Sequence, residues 1–402
     1  MIGDNMAAEF LSCPGQGLSP ARWIGGWCPP AAALPEGFGF SEAEVVYTYQ
    51  GRYAIQLICR LLSVGPGDEI LAPAYNCGAE IDPFVRTGAK VIFYRIDGKA
   101  RIDTGDVTSR ITPSTKLIYV SHFFGWPQNI EGLAGWCREK HIFLVEDCAL
   151  SLFSRSPRSA IGRAGDAAIF SFVKTLAVPD GGALILKNHA LADETKPRRQ
   201  PPSRNIVLNS LPLMKKWFMN EHQLWQRSGF ARRLLTRSWR DSAAIQDMEV
   251  GRGMPESNYF DEGKIGWTIS RLSRRILAGT HPAEIVATRR HNYRLLQDAF
   301  FGLPSIRPLY DDLPDHVCPL SFPLFIDDRS RWAQALEERG IQVGGWPSYH
   351  RGFDWRDFPE ARHLKDDLLT LPVHQDLDGR HMGHIAQSVK AIAEDHDYHH
   401  SR

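Results

Sequence analysis

Lys174 stands just after the apolar run DAAIFSF (Asp166–Phe172) and opens the irregular stretch KTLAVPDGG. A lysine where sheet loops meet a ligand can form an imine with an aldehyde, once its surroundings lower its pKa enough for the free amine to exist. Upstream, Asp147 ends the run IFLVED. A carboxylate at the C-terminal end of a buried strand points into the crevice where α/β sheets bind ligands. There it can keep a ring nitrogen protonated, so that the ring acts as an electron sink. Glu146, one residue earlier, should face the opposite way. The third candidate is Tyr49-Gln50-Gly51-Arg52, at the start of a helical pattern. A glycine at a helix N-terminus lets main-chain amides approach a phosphate with the helix dipole behind them, and Arg52 adds a charge. Each has a plainer reading alone: a solvated lysine, a helix cap or salt bridge, a capping turn. Taken in order, they describe a phosphate cradle, a strand-end acid and a strand-end amine.

Those groups need elements to carry them. After Gly51, Ala54, Ile55, Leu57, Ile58, Leu61 and Leu62 repeat at helical spacing. The turn Gly65-Pro66-Gly67-Asp68 precedes a strand pattern at Glu69–Pro73, then a short helix pattern at Glu80–Thr87 and a strand at Ala89–Ile96. Thr115–His122, Ile142–Asp147, Asp166–Phe172 and Gly182–Asn188 read as further strands, with a helix at Glu131–Lys140 between the first two. The strands are continuously apolar instead of alternating, which marks strands covered on both faces. The expectation is an α/β fold, with a mostly parallel central sheet, helices on both faces and a smaller C-terminal α+β domain. Residues 1–279 would form the large domain, including an irregular insertion over about 189–259, and residues 280–402 the small one. Helical patterns run from Lys264 to about Gly279, from Pro282 to Leu303, near Arg331–Arg339 and over Gly379–Glu394.

Charge and composition exclude several classes. Lys and Arg total 47 against 46 Asp and Glu, a formal charge of +1, which offers no field for nucleic acid or an anionic membrane. No apolar run reaches the ~18 residues of a membrane span, and the N-terminus lacks the pattern of a signal peptide. The 7 cysteines form no C-x-x-C pair and read as reduced thiols, which points to the cytoplasm. No metal is expected; His396, His399 and His400 are read as a disordered tail.

The order of cradle, aspartate and lysine is that of pyridoxal phosphate enzymes of the aspartate-aminotransferase fold type (type I). The chain resembles the DegT/DnrJ/EryC1/StrS family of sugar aminotransferases through GPGDEILAPAYN (Gly65–Asn76), GAKVIFYRID (Gly88–Asp97), ITPSTKLIYVSHFFGWP (Ile111–Pro127), VEDCA (Val145–Ala149), GDAAIFSF (Gly165–Phe172), KTLAVPDGG and LLTLPVHQDL (Leu368–Leu377). The resemblance implies that Lys174 carries the cofactor and then shuttles protons, that Asp147 holds the pyridine nitrogen, and that Gly51, Arg52 and Ser171 contact the phosphate. Tyr75, Asn76 or Cys77 occupies the segment that supplies a stacking group, with Tyr75 favoured for its ring. It also implies glutamate or glutamine as amino donor, a keto sugar, nucleotide-linked, as acceptor, and a homodimer. The alternatives are another reaction of the same cofactor, or a regulatory protein that binds it without turnover.

This chain departs from the family pattern at several places. Leu150 stands where a polar side chain meets the cofactor's phenolic oxygen, and Ser171 lies three residues before the lysine instead of five. Gln50-Gly51-Arg52 replaces Ser-Gly-Thr, and Asn258-Tyr259-Phe260 replaces Asn-x-Arg. His122 is read as a structural histidine near the crevice, and Trp346 and His350 as residues of the small domain that could meet substrate.

Overall fold

The computed structural model describes residues 18–25, 34–35, 38–157, 159–188, 196–221, 260–344 and 354–400. Seven strands, β1 (Val45–Thr48), β2 (Glu69–Pro73), β3 (Lys90–Tyr94), β4 (Thr115–Ser121), β5 (Phe143–Asp147), β6 (Ala167–Ser171) and β7 (Gly182–Leu186), build one sheet in the order β1-β7-β6-β5-β4-β2-β3. Strands β2 to β6 pair in parallel, while β7 runs antiparallel to both β6 and β1. The continuous apolar runs are explained by alternation between two covered faces. Ile70 and Leu117 pack with Ala54, Ile55 and Ile58 of α2 (Gly51–Leu61) and with Ile81 and Phe84 of α3 (Gly78–Val85). Their neighbours Leu71 and Ile118 pack on the other face with Leu133 and Cys137 of α5 (Glu131–Lys140). The short helix α4 (Thr104–Ser109) adds its buried Val107 to that same face, and a second short helix, α1, spans Pro20–Gly25.

A second, antiparallel sheet has the order β10-β9-β8, with β8 (Arg307–Pro308), β9 (Ser321–Phe325) and β10 (Leu368–Pro372). Its buried Phe322, Leu324 and Leu369 share one core with residues of α8 (Pro282–Phe300), α9 (Arg329–Glu338), α10 (Pro359–Asp367) and α11 (Gly379–His400), among them Leu296, Leu336, Leu364 and Ile385. That core continues into the β4–α5 face of the large sheet, so the two sheets are joined through apolar packing.

Several elements differ from the sequence reading. β1, whose four residues are all buried, was not anticipated: Val45–Thr48 is too short to show a period before the helix begins. The insertion expected to be irregular contains a helix of 19 residues, α6 (Ser203–Glu221). Pro201 and Pro202 precede it and Pro212 lies inside it, and interior proline, which removes one hydrogen bond, argues against a helix on sequence grounds. The pattern from Lys264 to Gly279 is not one helix. It divides into a 3-10 turn at Glu262–Lys264 and α7 (Arg271–Ala278), which starts where the Ser270 hydroxyl accepts a hydrogen bond from the Ser273 amide at 3.1 Å. The terminal helix runs to His400 instead of ending near Glu394, so His396, His399 and His400 stand on helical backbone where a disordered tail was expected. Asn258, Tyr259, Trp346 and His350 lie outside the described residues.

Candidate active site

The strand registers assemble the site at the C-terminal edge of the parallel sheet. Ser121 ends β4 opposite Asp147, which ends β5 and lies opposite Ile169 of β6. Ser171, the last residue of β6, pairs with Gly182 at the start of β7, and Gly182 pairs with Thr48 at the end of β1. One tight row therefore brings Ser171, Gly182 and the entry to α2 together. A Cβ on Gly182 would stand 2.5 Å from both the Gln50 carbonyl carbon and the Gly51 nitrogen, so only glycine permits this approach. A Cβ on Gly51 would stand 3.4 Å from that of Ser171. The amides of the first turn of α2 thus open beside Ser171, an arrangement suited to an anion. Arg52, second in that helix, is close enough for its charge to act on the Cys77 thiol.

Asp147 is buried. Its Oδ2 accepts a hydrogen bond from the Tyr119 hydroxyl at 2.6 Å, and its Oδ1 from the Ala149 amide at 2.8 Å. Burial raises its pKa, against the opposing effects of Tyr119 and of the Lys174 charge. Glu146 turns to the opposite face, as strand geometry requires. It accepts from the amides of Gly162 (3.1 Å) and Gly165 (2.7 Å) and meets His122 Nε2 at 3.0 Å. Because His122 Nδ1 accepts from the Gln128 amide at 2.9 Å, Nε2 carries the proton given to Glu146. Burial opposes ionisation of Glu146, but His122 and the two amides outweigh it and hold the carboxylate below its ordinary pKa. His122, Glu146 and Cys148 offer ligand atoms within 4.8 Å of one another. Their hydrogen bonds already satisfy both the imidazole and the carboxylate, and the cluster braces the sheet.

Lys174 closes a 3-10 turn (Phe172–Lys174) directly after β6 and is half-buried. Its charge is felt by Asp147, by Cys77 and by Glu80. Glu80, in the first turn of α3, is a residue the sequence reading missed. It is buried, and its carboxylate accepts from the Cys77 amide at 3.4 Å. Burial and then the nearby Asp147 push its pKa up, against the pull of Lys174. Two buried acids and one amine thus lie within electrostatic reach of one another. Helical spacing could have pointed to Glu80 only as a capping residue, three positions after Cys77.

The segment expected to stack on the cofactor divides by residue. The Tyr75 ring lies in the core, 5.3 Å from the Phe123 ring and 6.4 Å from that of Phe124, centroid to centroid. The Asn76 amide is turned to the main chain, donating to the carbonyls of Pro73 (2.9 Å) and Ala74 (3.2 Å). Cys77 is the member of the three that senses Lys174 and Arg52, and burial pushes its thiol up to about 11. Leu150 packs in the same core as Tyr75.

These residues fit pyridoxal phosphate. The row at Gly182 brings the start of α2 against Ser171 with no side chain on Gly51 or Gly182 between them, and Asp147 is a buried carboxylate that a protonated ring nitrogen would stabilise. Next to it, the buried Ser121 hydroxyl makes no hydrogen bond among the described residues. Such a polar atom calls for a ligand.

The family model for the DegT/DnrJ/EryC1/StrS aminotransferases matches residues 40–211. The erythromycin biosynthesis sensory transduction protein EryC1 of Saccharopolyspora erythraea is 31% identical over 365 residues, which span 88% of this chain and 86% of that one. The dTDP-4-dehydro-2,3,6-trideoxy-D-glucose 4-aminotransferase of Saccharopolyspora spinosa is 28% identical over 376 residues, 91% of this chain and 88% of its own. In fold, the chain is similar to the solved PLP-form of the putative sugar aminotransferase Spr1654 of Streptococcus pneumoniae, with TM-score 0.65 at 17% identity, covering 95% of this chain and 98% of that one.

Proposed function

Because the chain belongs to the DegT/DnrJ/EryC1/StrS aminotransferase family, we propose that its site moves an amino group from glutamate or glutamine to a keto sugar, nucleotide-linked, in polysaccharide or secondary-metabolite synthesis. One observation carries the reading: Lys174 and Asp147, at the ends of two neighbouring strands, act electrostatically on each other, with Asp147 buried. The acceptor class is supported by the Saccharopolyspora spinosa relative, whose name states a nucleotide-linked deoxysugar. Pyridoxal phosphate, when bound, supplies an aldehyde that takes up the amino group and a ring that stores electron density.

Each residue has a defined part. With the cofactor bound, the Lys174 amine would hold its aldehyde and would be the group that takes and gives the proton at the donor's α-carbon. Asp147, fixed by Tyr119 and Ala149, keeps a proton on the ring nitrogen. The α2 amides at Gly51, together with Arg52 and Ser171, hold the phosphate. Cys77, whose thiol feels the Lys174 charge, would take the stacking place, since the Tyr75 ring packs on Phe123. Asn76 supports that turn through its two main-chain hydrogen bonds.

The same reading carries finer expectations. Two domains would divide near 279–280, supported by the separation of the two sheets along the chain. The protein would act as a homodimer in the cytoplasm; the latter accords with five buried free cysteines among the described residues. No helix among the described residues is long and apolar enough to cross a membrane.

The experiment is direct. Purified protein titrated with pyridoxal phosphate should develop a visible absorption band, glutamate or glutamine should bleach it, and borohydride should fix the label on Lys174. A band that every amino donor leaves intact would refute catalysis and leave a binding protein without turnover.

A further inference from the structure

Both main-chain polar groups of Thr175, the residue after Lys174, are held. Its amide donates to the Phe172 carbonyl at 3.1 Å, within the turn that carries the lysine. Its carbonyl accepts from Gln375 Nε2 at 3.2 Å and, more distantly, from Arg289 Nη2 at 3.4 Å. Gln375 is aimed by Arg289, whose Nε donates to Gln375 Oε1 at 2.7 Å, so the amide nitrogen must face Thr175. Arg289 is 2% exposed, and its Nη1 also donates to the carbonyls of Pro319 (3.1 Å) and Leu320 (3.0 Å), just before β9. Asn292, on the same helix α8, donates to the carbonyls of His374 (3.2 Å) and Leu377 (3.1 Å), fixing the segment on either side of Gln375. A buried cation thus ties together the start of β9, the segment after β10 and the peptide beside the cofactor lysine.

We propose that Gln375 and Arg289 are positioning residues that set the Lys174 amine through the Thr175 carbonyl, making the small sheet's placement part of the site's geometry. The inference rests on Lys174 being the cofactor lysine. A general bracing role would move stability alone. A positioning role must also move properties of the lysine, because a shift of ~1 Å at a reacting group costs about a hundredfold in rate.

The decisive variant is Gln375→Glu. An ionised carboxylate keeps a partner for Arg289 but has no proton to give the Thr175 carbonyl. The chain should melt within a few degrees of the wild type, while bound pyridoxal phosphate shows a shifted pH midpoint of its visible band and slower labelling of Lys174. Gln375→Leu, which removes the donor without adding charge, should shift both in the same direction. Arg289→Lys should give a partial effect, since it retains the charge without the fork that orients Gln375. Gln375 variants whose band midpoint and labelling rate match the wild type would overturn the strap, even if they melt early. A wild type whose reduced label maps away from Lys174 refutes the functional reading itself, and the strap with it. The two failures are therefore distinguishable.

Discussion

Tyr119→Phe tests how the ring-nitrogen acid is held. The substitution keeps the aromatic ring that packs at 5.3 Å on Phe84 and deletes only the hydroxyl that donates to Asp147 at 2.6 Å. Hydrogen bonds to a charged acceptor are worth ~1.5–3 kcal/mol. Losing this one raises the Asp147 pKa further. A carboxyl that takes its own proton more readily holds the ring nitrogen's proton less well. Titration followed by visible absorption should therefore show pyridoxal phosphate affinity lowered about ten- to hundredfold. Stability gives the sign independently. Asp147 is already raised by burial, so its contribution is fully present below the unfolded pKa and is lost as pH rises through the folded one. Tyr119 lessens that loss. The deficit of the variant in urea unfolding should thus be larger on the alkaline side of the Asp147 titration than at pH values below the ordinary carboxylate range. A deficit that is flat with pH, together with unchanged cofactor affinity, would show that the hydroxyl does not support an ionised Asp147.

Two other substitutions probe the frame around the site. Asp180 is buried, accepts from the Ser270 amide at 2.7 Å, and is pushed by burial from 3.8 to about 6. Asp180→Asn keeps that acceptor and removes the charge, so it should stabilise the chain by up to ~3 kcal/mol above pH 6, with the gain vanishing below about pH 4; a pH-independent gain in urea melts would contradict this. Gly182→Ala puts a methyl group 2.5 Å from the main chain of Gln50 and Gly51. It should cost about 3 kcal/mol and weaken pyridoxal phosphate binding together, so a variant that melts and binds like the wild type would show that the row at Ser171 is not as tight as described.

Much of the large sheet was legible because its strands are apolar throughout, and strands covered on two faces announce themselves without periodicity. Lys174, Asp147 and Gly51 were legible because each ends or opens such an element. What stayed hidden depends on contacts distant in sequence. Nothing near Glu80 signals that α3 will carry its carboxyl toward a strand end 67 residues onward (80 to 147), and Tyr119 reads as one more apolar strand residue. Gln375 sits in a recognisable segment, yet its partner Arg289 lies on another helix, where arginine ordinarily signals a solvated face. Tyr75 was favoured for its ring, but three successive residues in a turn point three ways, and the ring found a better place among Phe123 and Phe124. Local pattern decides which element a residue occupies; only packing decides which face it shows.

The row of Thr48, Gly182 and Ser171 has a consequence for how the protein comes into being. The place suited to the phosphate is shared by the start of α2, the end of β6 and the start of β7, so no early fragment of the chain contains it. During synthesis it cannot exist until the polypeptide beyond Gly182 has emerged and β7 has slotted between β1 and β6. Cofactor can therefore be captured only by a chain whose β7 is already in place, and each molecule captured draws the maturing population toward the completed state by mass action.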